Sequence, residues 1–350
     1  MFMPHALAPD SAAVGGLCTR LRDRAAETVR IGPWRSGAFA ALADSGCLAG
    51  FLPSDAGGTC AAEPARLLAF AAIAEACLTT ALAVTQWAAA CRIIAGGESA
   101  TRMAWLPPLG RGEMFTTVGI SQLTTSRRHV GKAALIAREE ADGWRLDGEC
   151  PWVTGADSVD TIVTGAATDD GGQRFFVVET AATGLTIDPP LDMLALSGSR
   201  TSAVRCAGVR PAAVIVPPSE SVSRTGGLAT TALAVGATRA SVAIVSEEAI
   251  RRGELVSIVE QLTAEVDGVA ARLDEAARIG VDQEVRDRLR ADANSLVVRA
   301  AQTALVACKG TGFVHGHLAE RLVRESMFFL VWSCPQAVTH AVMCDLAGAG

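Results

Sequence analysis

The sequence has no concentration of charge of one sign, which excludes several kinds of partner. Its 350 residues carry 31 Lys and Arg against 37 Asp and Glu, a formal net charge of -6. The basic residues are scattered singly or in pairs such as Arg251-Arg252. Because proteins that bind nucleic acid usually present a basic patch or stripe, we predict no nucleic-acid partner.

Features of exported, disulfide-linked or membrane proteins are also missing. The ten cysteines include no Cys-x-x-Cys pair, and most lie in apolar runs, as reduced thiols do. The N-terminal stretch MFMPHALAPDSAAVGG has no basic segment followed by an apolar one, unlike a signal peptide. Arg239 and Pro335 interrupt the most apolar stretches before about 20 apolar residues accumulate. We therefore expect a soluble cytoplasmic protein with no membrane partner.

What the chain has is a hydrophobic composition arranged in three regions. Half of the residues are hydrophobic and 19% are charged, a profile typical of a folded, helix-rich protein. At about 150 residues per domain, the length predicts two or three domains. Helical patterns run from about Leu17 to Trp105 and resume after Ser223. In the later region, apolar residues recur on one helical face, namely Leu255, Ile258, Val259, Leu262, Val266, Val269 and Leu273.

The region between the helices changes period. Short β-branched or aromatic runs alternate with Asp-Gly pairs at 142, 147 and 170, which indicate hairpin turns. The predicted fold class is therefore α+β, with an N-terminal helical domain over 1–112, a middle β-barrel over 113–220 and a C-terminal helical bundle over 221–350.

This plan, together with four local motifs, resembles the acyl-CoA dehydrogenase superfamily. The segment LADSGCLAGFLPSDAGGT is similar to the family's Leu-x-x-x-Gly-Leu and Pro-x-x-x-Gly-Gly pattern, and WLPPLGRGEM is similar to its Leu-Pro-x-Leu-x-x-Gly-Glu lead into the barrel. The segment LDGECPWVTGA resembles the family's Trp-Ile-Thr strand, and GTGFVHGHLAERLVRE resembles its Gly-x-Gly and Glu-Arg-x-x-Arg-Asp segment.

The resemblance implies a flavin site. In the family, the Trp and Thr of Trp-Ile-Thr lie against the flavin, and the hydroxyl donates to the reactive ring nitrogen; the matching positions here are Trp152 and Thr154. Ser121 falls where the family places a hydroxyl near the pyrimidine side of the ring. The alternative is structural, with Trp152 the core anchor of a hairpin and Thr154 an ordinary strand residue.

The chain departs from the family at the catalytic base. The family's usual Glu, which removes the proton alpha to the thioester, aligns with Ser333, and the alternative base and Arg positions align with about Gly226 and Gly227. A serine cannot replace a carboxylate in removing a weakly acidic C-H proton. A base from Glu325 or Asp345 requires local rearrangement.

A second departure concerns the nucleotide end of the cofactor. The family's Gln-x-x-Gly-Gly-x-Gly loop reads VACKGTGF, with Val306 for Gln and Lys309 for one Gly, and its Arg-x-x-Phe-Gly motif has no Phe here. Lys309 is a candidate phosphate contact or, equally, a surface residue at a helix end. The expected cofactor is FAD, with FMN or an empty site as alternatives.

A third departure lies at the mouth of the implied site. Ser126, Arg127, Arg128 and His129 replace the family's small and acidic residues. Ser126 is a candidate cofactor contact, and Arg127 and Arg128 are candidates to bind the substrate or another anion; the alternative is a solvated loop.

His315 and His317 are two residues apart, and no further metal ligand completes a set with them, so we predict no metal site.

Three functions follow from these matches and departures. The first is a flavin-dependent oxidoreductase of the acyl-CoA dehydrogenase type, acting on an acyl-thioester-like or other small organic substrate. The second is a reduced-flavin monooxygenase on the same fold, which needs no alpha-proton base. The third is a non-catalytic binding or assembly protein. The resemblance also implies a homodimer or homotetramer.

Overall fold

The computed structural model describes residues 12–28, 37–124, 134–216, 227–332 and 336–348. Helices come first in the described chain, an eight-stranded sheet follows, and a second group of helices ends it. The predicted α+β architecture, with a β domain between two helical regions, is therefore confirmed.

The N-terminal region contains five α-helices among its described residues. They are α1 (Ala12–Thr28), α2 (Ala38–Ser45), α3 (Glu63–Ala76), α4 (Leu78–Ala95) and α5 (Ser99–Gly110). The Ala- and Leu-rich stretch over residues 62–97 is not one continuous helix, because Cys77 is extended at φ -161° and separates α3 from α4. The Thr80 hydroxyl donates to the Cys77 sulfur at 3.3 Å, which fixes this break inside the core.

The middle region is a single mixed sheet. Its strands are β1 (Thr116–Gly119), β2 (Leu135–Glu140), β3 (Gly143–Val153), β4 (Thr161–Thr168), β5 (Gln173–Glu179), β6 (Leu185–Ile187), β7 (Ser202–Val209) and β8 (Ala213–Ile215), with a four-residue helix α6 (Ser121–Thr124) after β1. The order across the sheet is β6-β7-β3-β2-β4-β5-β8, and β1 pairs with β4 in parallel.

Two of the three Asp-Gly pairs form hairpin turns, and the third does not. Asp142-Gly143 joins β2 to β3 and Asp170-Gly171 joins β4 to β5. Asp147-Gly148 lies in the middle of β3, so predicting a turn there was wrong. The Asp147 carboxylate instead accepts from the Gly208 N–H at 2.8 Å, where the pairing of β3 with β7 shifts by one residue. The pair therefore marks a β-bulge.

The C-terminal region is a helical bundle. Its helices are α7 (Leu228–Ala249), α8 (Val256–Ile279), α9 (Gln283–Gly312), α10 (Leu318–Ser326), α11 (Phe328–Val331) and α12 (Gln336–Ala347). Helix α7 packs against both α3 and α9, so it joins the two helical regions. Its Gly236 lies against the backbone of α3 at Ala71 and Glu75, a distance that leaves no room for a side chain.

Helices α4 and α7 are long and apolar enough to cross a membrane by length and composition alone. They lie inside the fold, with 61% of the residues of α4 and 72% of those of the α7 segment buried. Central core helices of folded domains have the same length and composition, and α4 and α7 occupy such positions here.

Candidate functional site

Trp152 stands exposed at the end of β3 because the strand is bulged. Leu146 and Cys150 are buried and lie on the same face of the strand, and continued alternation would place residue 152 on that face as well. The register with β7 shifts between Cys150 and Val153, a segment containing Pro151, which has no N–H for the ladder. The core-facing position passes to Val153, and Trp152 is 44% exposed. The bulge thus turns a large aromatic face outward, as bulges near functional sites do.

Thr154, the first residue after β3, is buried although its hydroxyl has no close partner. Its exposed fraction is 2%, and its one side-chain hydrogen-bond contact within the described residues is the Thr201 hydroxyl at 3.4 Å. This distance exceeds the usual O–H···O range of about 2.5–3.0 Å. Thr201 and Ser199 lie 2.8 Å apart, a normal hydrogen bond. The Thr154 proton is therefore weakly held by the protein.

A clamp fixes the loop that carries Ser199 and Thr201 against the turn after β3. The Gly155 N–H donates to the Ser199 carbonyl at 2.9 Å. The Arg200 guanidinium forms a two-pronged ion pair with Asp157, with its Nε 2.8 Å from Oδ1. This pair raises the pKa of Arg200. Arg200 adopts φ 51°, a left-handed conformation that the ion pair and the backbone bond stabilise.

Ser121 begins helix α6, which packs on β3, the strand that carries Trp152. Hydrogen bonds stabilise the turn from β1 into α6. The Gly119 carbonyl accepts from Thr164 at 2.7 Å and from the Gln122 amide at 3.2 Å, and the same amide donates to the Gly165 carbonyl at 2.8 Å. Ser121 is half-buried at this fixed position.

Cys150 lies beneath this turn and is a structural thiol. Its sulfur is 3.0 Å from the Thr164 hydroxyl, and burial raises the thiol pKa to about 12. A thiol this hard to ionise is not a nucleophile at neutral pH.

Several predicted site residues lie outside the described part of the chain. They are Ser126, Arg127, Arg128 and Ser333, together with His129 and Gly226. Their roles stay predictions. Gly227 is described and precedes the first residue of α7.

Of the two carboxylates considered as replacement bases, Glu325 is buried and Asp345 is exposed, and each has a partner in the bundle. Glu325 on α10 is buried, and its Oε1 is 3.7 Å from Nε of Arg321. Burial raises the pKa of Glu325 to about 7, against the lowering effect of Arg321 and Arg324. Asp345 on α12 accepts from the Ser295 hydroxyl at 2.7 Å. The Glu325 contact therefore lies within α10, whereas the Asp345 contact joins α12 to α9.

Lys309 occupies a backbone conformation that suits glycine. Within α9 it has φ 54° and ψ -146°, and the helix kinks there. Arg252 donates to the Ala307 carbonyl just before the kink and pairs with Glu248 at 2.8 Å. The chain thus keeps a glycine-type backbone at the position where Lys309 replaces a family Gly. Conformations of this kind cost a residue with a side chain about 1–3 kcal/mol.

We expect Lys309→Gly to be more stable than Lys309→Ala. Both variants remove the charged side chain, and only glycine relieves the backbone strain, so the free energy of unfolding should differ by about 1–2 kcal/mol in favour of glycine. Urea denaturation of the two variants measures this difference. An alanine variant as stable as the glycine variant would contradict the strained backbone.

Two surface depressions lie on the bundle, away from Trp152. One, of about 440 Å³, lies between α8 and α9 and is lined by residues that include Ile258, Gln261 and Val306. The other, of about 260 Å³, adjoins the end of α9 and includes Phe313, His315 and Arg324. Among the described residues, neither depression contains a predicted contact of the flavin ring.

Comparison with known proteins agrees with this architecture. The family model described as "Acyl-CoA dehydrogenase, N-terminal domain" matches residues 16–113. A probable acyl-CoA dehydrogenase of Bacillus subtilis is 23% identical over 320 residues, 82% of this chain and 83% of that protein. The human mitochondrial short-chain specific acyl-CoA dehydrogenase is 28% identical over 163 residues, which are 45% of this chain and 39% of the human protein.

Solved structures match over the full length. Glutaryl-coenzyme A dehydrogenase in its glutaryl-CoA complex superposes with a TM-score of 0.80 at 17% identity, covering 100% of this chain and 98% of that chain. The FMN-bound dibenzothiophene monooxygenase of Paenibacillus sp. A11-2 gives 0.76 at 17% identity, covering 99% and 98%. The family model, the Bacillus subtilis relative and the glutaryl-coenzyme A dehydrogenase structure together support membership of this chain in the acyl-CoA dehydrogenase superfamily.

The residues at the end of β3 fit the ring of a flavin. An isoalloxazine needs an apolar wall and a few fixed donors, and Trp152 and Thr154 supply an exposed indole and a buried hydroxyl with a weakly held proton. The sequence did not identify Ser199, Thr201 or the ion pair between Asp157 and Arg200 as parts of the site. A short run of hydroxyl residues, SGSRTS, was the only signal for them.

Proposed function

We propose that the protein is a flavin-dependent oxidoreductase of the acyl-CoA dehydrogenase type. The observation that carries this proposal is the pairing of an outward-facing Trp152 with a buried, weakly bonded Thr154 hydroxyl. The flavin, FAD or FMN, supplies the redox chemistry when bound. Trp152 forms an apolar wall that excludes water from one side of the ring, and Thr154 donates a hydrogen bond to it. Ser121 contacts the pyrimidine side.

The substrate we propose is an acyl-thioester-like or other small organic molecule. Arg127 and Arg128 are candidates to bind its anionic group. A conventional dehydrogenase also needs a carboxylate at the substrate's alpha carbon. Ser333 stands at the family's position for it, and Glu325 and Asp345 are engaged within the bundle. A dehydrogenation therefore requires a base from the substrate or from a rearranged bundle.

A reduced-flavin monooxygenase is the second candidate, and the Glu325 environment favours it. Glu325 is 5% exposed and is paired with Arg321 on the same helix, so it is not open to the alpha carbon of a substrate. A reaction between reduced flavin, oxygen and a substrate needs no carboxylate to remove an alpha proton. The FMN-bound dibenzothiophene monooxygenase has the same fold.

Two experiments that reduce the bound flavin in different ways distinguish the dehydrogenase from the monooxygenase. Bleaching of the flavin band by a short-chain acyl-CoA without oxygen supports the dehydrogenase. A transient absorbance after photoreduced protein meets oxygen supports the monooxygenase. Flavin that binds but takes part in neither reaction supports the third function, a binding or assembly protein.

Thr154→Val should weaken flavin binding by about twofold to tenfold, since it removes one hydrogen bond worth about 0.5–1.5 kcal/mol. Quenching of flavin fluorescence during titration with FAD and with FMN measures the change. Thr238→Val is the matched control, because Thr238 is a buried threonine on α7 whose hydroxyl donates to the Ala234 carbonyl at 2.8 Å. Equal affinities for wild type and Thr154→Val would contradict the placement of the ring.

The proposal also includes a homodimer or homotetramer. Apolar side chains are exposed near the Lys309 kink, with Val306 at 75%, Phe313 at 78% and Val314 at 62%. A subunit interface would cover them. Sedimentation equilibrium tests this, and a Phe313→Asp variant should shift the protein toward the monomer.

A further inference from the structure

Three buried hydroxyl groups lie in a row, which we call the file, and the row ends at the proposed position of the flavin ring. Ser199 is fully buried, and Thr201 and Thr154 are 1% and 2% exposed. Ser199 Oγ is 2.8 Å from Thr201 Oγ1, which is 3.4 Å from Thr154 Oγ1. No other side-chain hydrogen bond involves these three oxygens within the described residues apart from these two contacts.

Each hydroxyl has one proton to donate and can accept two hydrogen bonds, so the two contacts allow three arrangements. If Ser199 and Thr154 both donate to Thr201, the Thr201 proton has no acceptor among the described residues. If Thr154 donates to Thr201 and Thr201 to Ser199, the Ser199 proton has no acceptor among the described residues. An unsatisfied buried donor is costly. If Ser199 donates to Thr201 and Thr201 to Thr154, both inner protons are used, and only the Thr154 proton needs an acceptor from outside the file.

The geometry points to a directed hydroxyl relay in which Ser199 and Thr201 orient Thr154 as a donor to an acceptor atom of the bound flavin. This inference rests on the proposed function. Thr201 and Ser199 are positioning residues, because they act through Thr154 rather than on the ring. With an acceptor on the ring, every proton in the file is satisfied, so binding of the ring selects this direction.

The relay is built into a rigid frame. The Asp157–Arg200 ion pair and the bond from the Gly155 N–H to the Ser199 carbonyl join the two loops that carry its members. Val153 of β3 also pairs with Ser202 of β7, directly beside Thr154 and Thr201. A hydroxyl donor that is held in place before the flavin binds can stabilise the ring when it gains electron density on reduction. Little reorganisation of the protein is then needed.

Loss of the middle hydroxyl should therefore act on the flavin from a residue that does not touch it. Thr201→Val keeps the shape of the side chain and removes the relay, while Thr201→Ser keeps the hydroxyl. We expect Thr201→Val to weaken flavin binding by about twofold to tenfold, as Thr154→Val does, and to lower the reduction potential of the bound flavin. Thr201→Ser should restore both values toward wild type.

The test measures flavin affinity by fluorescence quenching and reduction potential by equilibration with a reference dye. It uses wild type, Thr154→Val, Thr201→Val, Thr201→Ser, Ser199→Ala and the Thr238→Val control. Near-ultraviolet circular dichroism checks each fold. Should Thr201→Val fail to fold, Ser199→Ala carries the test, because it removes the hydroxyl that donates to Thr201 and so weakens the hydrogen bond that Thr201 donates to Thr154. The potential should fall, by less than in Thr154→Val.

The outcomes separate the relay from the proposed function. Lower potentials in Thr154→Val and Thr201→Val, with recovery in Thr201→Ser and no change in Thr238→Val, support the relay. A lowered potential in Thr154→Val alone overturns the relay and leaves the proposed function standing. A wild-type protein that binds neither FAD nor FMN overturns the proposed function and the relay with it.

Discussion

Replacing Gly236 with alanine should destabilise the protein by about 3 kcal/mol. Gly236 lies on α7 where that helix crosses α3, and an added Cβ would overlap the Ala71 carbonyl oxygen and lie 2.8 Å from both the Ala74 Cβ and the Glu75 nitrogen. Two of these three contacts are backbone atoms, so the helices must separate. Because α7 joins the N-terminal helices to the bundle, the loss reaches both regions. Urea denaturation followed by circular dichroism measures it.

The same substitution at Gly268 is the matched control, with the opposite sign expected. Gly268 is exposed on α8, and an added Cβ there meets nothing within 4 Å. Alanine is a better helix former than glycine, so Gly268→Ala should stabilise the protein by up to about 1 kcal/mol. Two variants of equal stability would contradict the close crossing of α3 and α7.

Stability should fall as the pH rises from about 5 to about 7.5, and Glu325→Gln should remove much of that fall. Burial raises the pKa of Glu325 in the folded protein to about 7 from an ordinary value of 4.5. The folded state therefore binds more protons than the unfolded state between these values, and stability drops with rising pH. A difference of this size corresponds to about 3 kcal/mol.

Denaturant titrations of wild type and Glu325→Gln at several pH values between 4.5 and 8 measure the two slopes. Glutamine keeps the shape of the protonated side chain and cannot ionise. The variant should therefore match wild type near pH 5 and exceed it above pH 7. Parallel curves for the two proteins would show that Glu325 is not held protonated by the fold.

The sequence predicted the elements of the fold better than their local geometry. Four of the apolar positions predicted on one face, Leu262, Val266, Val269 and Leu273, are buried on α8. The break at Cys77 was missed, because a run of alanine and leucine carries no signal of a single extended residue. Asp147-Gly148 looked like a turn because bulges and hairpins use the same residue types.

Within the candidate site, the sequence could not predict contacts between residues that are far apart along the chain. Trp152 and Thr154 stand out through a local motif, whereas Thr201 is 47 residues from Thr154 and meets it through the pairing of β3 with β7. The outward turn of Trp152 depends on a register shift that Pro151 alone does not specify. The conformation of Lys309 belongs to the kink of α9 and is not encoded in the identity of a lysine.

The most direct test of the account is the visible absorption spectrum of the purified protein, followed by release and identification of any cofactor. The account predicts flavin absorption bands, with released FAD or FMN in proportion to protein, or their appearance when the apoprotein is titrated with one of these flavins. It also predicts that Trp152→Ala and Thr154→Val change the bands. A protein that stays colourless and binds neither flavin would contradict the account.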